Sequence, residues 1–282
     1  MKSTLLDFVA VGPQKTGTTW LYEVLKNHPK IAFPNDVKET MFFDLNYDKG
    51  AQWYISHFLN DDANKICGEI GPSYFDVEYI PERIYSFNPN CKIIITLRDP
   101  ISRALSLYRH HWARGRVKGS FQEAVEQMPR ILTAGDYAQH IPRWLDLFGE
   151  ENILILFFDD LTVNPQQIVD DVCSFLEIDK KVVISGKKTR KVNAAKSYRL
   201  RWLASWSTSL SLKLHSLRLH KLINIFKALG LKSLVYKQSG ENLNLPYMTF
   251  EEKCWVLDES LAGIEYIECL TGRELASWKS LV

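Results

Sequence analysis

The sequence predicts an α/β fold with three layers, in which helices cover both faces of a central parallel β-sheet. Short apolar runs bounded by turn residues alternate with segments of helical periodicity, as in successive β-α units. The first apolar run leads through a glycine-containing turn into a helix, so the fold is expected to be P-loop-like. With 282 residues, 46% of them hydrophobic, the chain can bury the core of one large domain.

The individual elements follow from these runs. Four apolar runs are predicted as buried strands: Leu5–Val11, Ile66–Ile70, Lys92–Leu97 and Ile153–Phe158. Helical periodicity predicts helices over Thr18–Asn27, Ala51–Leu59, Ile101–Trp112, Tyr137–Phe148 and Gln166–Leu176. The last part of the chain is expected to form one helix, with Thr249 as its N-cap and Gly272 at its C-terminus.

The segment 180–240 differs from the rest of the chain in charge. It contains fifteen Lys or Arg and no Asp or Glu, although the net charge of the whole chain is only +2. We expect a single domain spanning 1–282, with 180–240 as a basic loop and a helical insertion or lid near 198–236. The Leu and Trp stripe of this segment would also suit a helix that binds an anionic membrane surface, and that alternative stays open.

Composition indicates which classes of protein to exclude. No stretch reaches the roughly 20 apolar residues that cross a bilayer, and no basic-then-apolar leader precedes the first strand, so we predict a soluble, cytoplasmic protein. The five cysteines are scattered and lack a C-x-x-C spacing, so neither a disulfide framework nor a structural zinc site is expected. No nucleic acid partner is expected, and the sequence does not indicate an oligomeric state.

The turn after the first predicted strand matches a Walker A loop in all but one respect. Gly12 and Gly17 have the spacing of G-x-x-x-x-G-K-[ST], but Thr18 stands where the motif has lysine, and the lysine lies inside the loop as Lys15. Strand, turn and helix N-terminus still form an anion site. The residues that bind magnesium and a γ-phosphate are missing, so we expect a phosphate-like group to bind without a metal.

A second anion site is predicted at the end of another strand. Arg98 follows the predicted strand Lys92–Leu97, and Ser106 comes eight residues later on the next helix. A guanidinium and a hydroxyl in these positions can bind a second phosphate. Two such sites at the ends of adjacent strands indicate a nucleotide with phosphates at two positions.

These motifs resemble those of sulfotransferases that use 3′-phosphoadenosine 5′-phosphosulfate (PAPS). "PQKTGTTW" (13–20) resembles their 5′-phosphosulfate loop, and "LRDPISRALSLY" (97–108) resembles their 3′-phosphate motif. The strings "KETMFFD" (38–44) and "GEIGPSYF" (68–75) extend the likeness. It is strongest to the heparan-sulfate-type enzymes and their bacterial small-molecule relatives.

The resemblance implies roles for individual residues. Lys15 would stabilise the departing 5′-phosphate, Glu39 would be the general base, and His110 would lie near the acceptor or the transition state. A larger set is implied to bind the donor: Gln14, Lys15, Thr16, Gly17, Thr18, Thr19, Trp20, Arg98, Ser106 and Tyr137. PAPS would be the sulfonate donor and adenosine 3′,5′-bisphosphate (PAP) the product, with no metal required.

One position departs from the heparan-sulfate-type pattern. Those enzymes carry a catalytic lysine where this chain has Ile70, so either the site lacks one cation or the basic segment supplies it. Relatives close a loop from that part of the chain over the nucleotide. Lys188, Lys191 and Arg199 are therefore candidates, and we assign Lys191 and Arg199 to donor binding.

The acceptor is left open, because an alcohol, a phenol, a glycan and an amine would all need the same loop and the same base. We expect a small molecule or a glycan, as in a sulfotransferase of secondary metabolism, with a hydroxyl preferred to an amine. The alternative enzyme is a P-loop small-molecule kinase. The missing G-K-[ST] and the missing metal-binding aspartate argue against it.

Overall fold

The computed structural model describes residues 6–35, 37–58, 64–180 and 245–281. They form two compact units: a sheet unit, with the described residues up to 99 and from 136 to 180, and a helical unit, with 100–135 and 245–281. The lid near 198–236 lies outside the described residues, and so do Lys188, Lys191 and Arg199. These expectations, and that of a single domain, stay predictions.

A five-stranded sheet forms the centre of the sheet unit, with the strand order β2-β3-β1-β4-β5. The strands are β1 Phe8–Gly12, β2 Ile31–Ala32, β3 Ile66–Ile70, β4 Lys92–Leu97 and β5 Ile153–Phe157. All neighbours pair in parallel, with β1 between β3 and β4. The predicted parallel sheet is confirmed. Only β2 was not predicted, because two residues carry no periodicity.

Helices follow the strands along the chain, and those of the sheet unit pack on the sheet. In chain order they are α1 Thr18–Leu25, α2 Phe42–Leu45, α3 Gly50–Ile55, α4 Ile80–Phe87, α5 Pro100–Ala113, α6 Phe121–Gln127, α7 Arg130–Thr133, α8 Tyr137–Phe148, α9 Phe158–Val163, α10 Pro165–Phe175 and α11 Phe250–Thr271. Leu21 of α1 and Val172 of α10 pack with Phe8, Ala10 and Ile94 of the sheet. Every residue of β1 is buried, as expected for a parallel sheet covered on both faces. The predicted α/β fold is confirmed.

The helical unit packs α5, α6, α7 and α11 around a core of its own. Tyr108 and Phe121 are fully buried in this core. The guanidinium of Arg103 is buried as well, and its Nη2 donates to the carbonyl oxygens of Ile131 (2.8 Å) and Leu132 (3.0 Å). A buried cation thus joins α5 to α7.

The long helix α11 begins and ends as predicted. Thr249 Oγ1 accepts from the N–H of Glu252 (3.2 Å), and the Glu252 carboxylate accepts from the N–H of Thr249 (2.8 Å), which is a capping box. Gly272 ends the helix in the left-handed conformation, at φ 67°. In the described ranges of the chain, no helix is long and apolar enough to span a membrane.

Candidate active site

The turn between β1 and α1 has the geometry of an anion site. Its backbone is left-handed at Gly12 (φ 98°), Lys15 (φ 77°) and Gly17 (φ 101°), and α1 begins directly after it at Thr18. Such a turn presents backbone N–H groups next to a helix N-terminus, where the helix dipole favours negative charge. At φ 101° a residue with a Cβ would be strained at position 17, and its Cβ would also lie 2.5 Å from Cδ1 of Leu161, so glycine is favoured there.

Thr16 fixes this turn to the sheet. Its side chain is fully buried, and its Oγ1 donates to the carbonyl oxygen of Pro13 (2.6 Å). Because a hydroxyl has one proton, the 2.6 Å hydrogen bond between Thr16 and Thr96 of β4 is donated by Thr96. The Thr16 hydroxyl therefore serves the fold. Donor binding by this residue, as predicted, would use its backbone N–H.

Arg98 and Lys15 lie together, as expected for two adjacent strand ends. Arg98 directly follows β4, and its Nη1 donates to the carbonyl oxygen of Lys15 (3.2 Å). The guanidinium lies over the ring of Phe158, 4.3 Å from the centroid. Burial lowers the pKa of Arg98, and the charges of Asp99 and Asp159 oppose that effect. An arginine side chain remains a cation under these conditions.

Tyr137 positions Arg98 from the first turn of α8. Tyr137 is fully buried. Its hydroxyl donates to the carbonyl oxygen of Arg98 (2.6 Å) and accepts from the N–H of the same residue (3.3 Å). The tyrosine thus holds the backbone at the end of β4. Its contact with the nucleotide, which the resemblance implies, stays a prediction.

The other loop residues predicted to bind the donor differ in their surroundings. Gln14 and Thr19 are half-buried, and Thr18 is buried. Trp20 is partly buried and packs against the apolar cluster between α1 and α10. These side chains therefore divide between the loop surface and the core, and their contacts with a donor stay predictions.

A lysine joins the predicted base Glu39 to the phosphate loop. The Nζ of Lys38 donates to Oγ1 of Thr19 (3.1 Å) and to Oε1 of Glu39 (2.8 Å). Thr19 belongs to the first turn of α1. A single lysine ammonium therefore bridges the Glu39 carboxylate and the first turn of α1, the helix that follows the loop.

Buried Glu69 of β3 fixes the turn that carries Glu39. Its Oε1 accepts three hydrogen bonds, from the N–H (2.8 Å) and Oγ1 (2.5 Å) of Thr40 and from the hydroxyl of Tyr74 (3.1 Å). Met41, the residue after Thr40, has a left-handed backbone at φ 53°. The chain direction after Glu39 is thus set by a carboxyl on a central strand.

Burial raises the pKa of Glu69 from the ordinary 4.5 to about 7, although the hydrogen bonds from Thr40 oppose this rise. The hydroxyl of Tyr54 lies near enough to affect this pKa but lacks the geometry of a hydrogen bond, and Glu69 Oε2 has no hydrogen-bond partner among the described residues. Near neutral pH, both protonation states of this carboxyl are therefore populated in the fold.

Ile70 of β3 occupies the position at which the resemblance implies a lysine. The Ile70 side chain is fully buried in the apolar core and therefore contributes no positive charge to the site.

Over the ranges that the structure describes, no group of three or more His, Cys, Asp or Glu is arranged to hold a metal ion.

Two predicted site residues belong to the helical unit. Ser106 and His110 are half-buried on α5. Nη1 of Arg114 lies 2.6 Å from Nδ1 of His110, and the His110 ring packs edge-on against that of His111. The roles predicted for Ser106 at the 3′-phosphate and for His110 near the acceptor stay predictions.

The sequence of the chain matches a known family over most of its length. Residues 5–217 match the family described as Sulfotransferase domain. The chain belongs to the sulfotransferase domain family. This match confirms the predicted family and the predicted class of enzyme, a transferase of sulfonate groups.

Curated relatives agree with this assignment, and a solved structure shares the fold. The sulfotransferase is 36% identical over 195 residues to human bifunctional heparan sulfate N-deacetylase/N-sulfotransferase 3, and 31% identical over 207 residues to the Drosophila melanogaster bifunctional heparan sulfate N-deacetylase/N-sulfotransferase. Both matches cover 62% of this chain but only 22% and 20% of the relatives, so the chain spans about a fifth of their length. A crystal structure of a sulfotransferase from Alicyclobacillus acidocaldarius has the same fold, with a TM-score of 0.69, 21% identity, and coverage of 98% of this chain and 99% of that one.

Three residues that hold the candidate site together were given no role there by reasoning from sequence: Lys38, Glu69 and Thr96. A lysine directly before the predicted base was a visible signal for Lys38. An acidic residue inside the apolar run 66–70 was a visible signal for Glu69, because such residues are rarely buried without a partner. Thr96 had no signal, since threonine is common in any strand.

Proposed function

We propose that this sulfotransferase transfers the sulfonate of PAPS to a hydroxyl or an amine of a small-molecule or glycan acceptor. The observation that carries the proposal is the Lys38 ammonium, which joins Thr19 of α1 to Glu39. The ammonium keeps the Glu39 carboxylate close to the N-terminus of α1. The carboxylate can remove a proton from the acceptor, and the helix N-terminus can hold a sulfated phosphate. The N-sulfotransferase activity named for the relatives supports an amine or a glycan among the acceptors.

The described residues fit PAPS as the donor. Loop residues 13–20 contain one cation, Lys15, and no acidic side chain. Arg98 adds a second cation at the adjacent strand end. The loop N–H groups would hold the 5′ end of the nucleotide, and Arg98 would hold its 3′-phosphate. When bound, PAPS supplies a sulfonate that is already activated by its bond to a phosphate.

Each side chain has one task in this proposal. Glu39 takes the proton of the acceptor as the acceptor attacks sulfur. Lys15 and the loop N–H groups stabilise the negative charge that collects on the phosphate as its bond to sulfur breaks. Glu69 keeps Glu39 in place by holding Thr40. A sulfonate carries less charge than a γ-phosphoryl group, so these cations and N–H groups suffice without magnesium.

The melting temperature in the presence of two nucleotides tests the donor. PAP should raise the melting temperature, whereas magnesium-ATP should leave it unchanged. Lys15→Ala should lose most of the rise with PAP. The matched control is Lys26→Ala, which removes a lysine at the other end of α1 and should keep the full rise. Stabilisation by magnesium-ATP and not by PAP would overturn the proposal in favour of a kinase.

A further inference from the structure

We propose that Lys38 is a catalytic residue that donates a hydrogen bond to the transferring sulfonate and acts with increasing strength as Glu39 takes up the acceptor's proton. The inference rests on the proposed function, because it requires PAPS as the donor and Glu39 as the base. It comes from the position of one ammonium between the helix that follows the phosphate loop and the carboxylate of the base.

The hydrogen bonds of Lys38 leave one donor for a ligand. A lysine ammonium has three N–H donors. The described part of the chain supplies two acceptors, Oγ1 of Thr19 at 3.1 Å and Oε1 of Glu39 at 2.8 Å. The third N–H can therefore bind an oxygen of an anion held at the N-terminus of α1, the turn to which Thr19 belongs.

Partial burial makes the charge of this pair important. The side chains of Lys38 and Glu39 are 23% and 28% exposed, whereas those of the Lys26–Glu23 pair, on α1 itself, are 37% and 45% exposed. Water screens the first pair less, so its charges interact more strongly. While Glu39 is ionised, its negative charge offsets that of Lys38. Once Glu39 is protonated, it no longer offsets the positive charge of Lys38.

Proton transfer therefore exposes a positive charge at the point in the reaction where negative charge develops. The acceptor oxygen or nitrogen forms a bond to sulfur, and its proton passes to Glu39. The bond from sulfur to the 5′-phosphate oxygen breaks, and the phosphate leaves with the electron pair. Glu39 is the anionic partner of Lys38 among the described residues, so after this transfer the charge of Lys38 acts on the sulfonate and phosphate oxygens. An interaction that is stronger in the transition state than in the ground state accelerates the reaction.

Two nucleotides that differ in the sulfonate test this contact without any acceptor. Isothermal titration calorimetry gives dissociation constants for PAPS and for PAP, and their ratio reports the preference for the sulfonated nucleotide. Lys38→Gln removes the charge and should lower this preference about tenfold or more, the effect of losing one hydrogen bond to a charged group. Lys38→Arg should keep the preference. Glu39→Gln, a neutral mimic of the protonated base, should increase it.

A matched control separates this effect from the general loss of a surface lysine. Lys26→Gln breaks a Lys–Glu pair of α1 at the end away from the loop and should leave the preference unchanged. If Lys38→Gln keeps the wild-type preference, or weakens both nucleotides equally, the contact with the sulfonate is disproved while the proposed donor stands. If the wild-type protein binds neither nucleotide, the proposed function fails and this inference fails with it.

Discussion

Replacing Glu69 with glutamine should remove a pH dependence that this buried carboxyl imposes on the stability of the fold. Burial raises the pKa of Glu69 from 4.5 to about 7, so the fold favours the protonated form. Its contribution to stability is therefore complete below pH 4.5 and is lost as the pH rises through about 7. Glutamine keeps an acceptor oxygen for Thr40 and Tyr74 but stays neutral at every pH.

The size of the effect follows from the two pKa values of Glu69. The interval from 4.5 to about 7 corresponds to about 3 kcal/mol, because each pKa unit is worth about 1.4 kcal/mol. Between pH 5 and pH 8, the wild-type protein should lose about 2.5 kcal/mol of unfolding free energy through this group. The loss arises because the fold must then bury a carboxylate whose Oε2 has no hydrogen-bond partner among the described residues.

Urea unfolding at pH 5, 6, 7 and 8, followed by tryptophan fluorescence and circular dichroism, measures this loss. Other groups titrate in both proteins, so the quantity to compare is the slope of the unfolding free energy against pH. Glu126→Gln changes an exposed carboxyl on α6 and should keep the wild-type slope. If Glu69→Gln also keeps the wild-type slope, burial does not control the protonation of Glu69 and the reasoning is refuted.

Four further substitutions test the candidate site. Lys15→Ala should slow the formation of PAP from PAPS roughly 100- to 1,000-fold without changing the circular dichroism spectrum, and a rate within tenfold of wild type would contradict its role at the leaving phosphate. Arg98→Ala should weaken the calorimetric affinity for PAP about tenfold or more, and Ser106→Ala should weaken it less. Unchanged affinity in both variants would mean that the 3′-phosphate binds elsewhere. Tyr137→Phe deprives the backbone of Arg98 of its hydroxyl partner and should lower the unfolding free energy by about 1–3 kcal/mol, so an unchanged urea midpoint would disprove the positioning role.

The strands and the phosphate loop could be predicted because local patterns determine them. Two strands, Ile66–Ile70 and Lys92–Leu97, have the predicted bounds, and so does the helix Tyr137–Phe148. The meeting of Lys15 and Arg98 was also predictable, because the carboxyl ends of adjacent parallel strands lie at the same edge of a sheet.

The positions of long side chains from irregular segments could not be predicted in the same way. Lys38 lies between β2 and α2, and no periodic pattern covers it. The Lys38 ammonium contacts Thr19 on α1. The turn that carries Lys38 is held at Thr40 by Glu69, which lies thirty-one residues after Lys38 in the sequence. Such an arrangement depends on tertiary packing, which spacing along the chain does not reveal.

The backbone of Lys15 has a consequence for protein engineering. A residue with a Cβ in the left-handed region, here at φ 77°, costs about 1–2 kcal/mol, and glycine would avoid this cost. Glycine would also remove the amine that the proposed chemistry needs. Selection of variants for heat resistance alone would therefore favour Lys15→Gly and yield proteins that are more thermostable but inactive. A library intended to make this enzyme more robust should keep position 15 fixed, because thermostability and turnover conflict there.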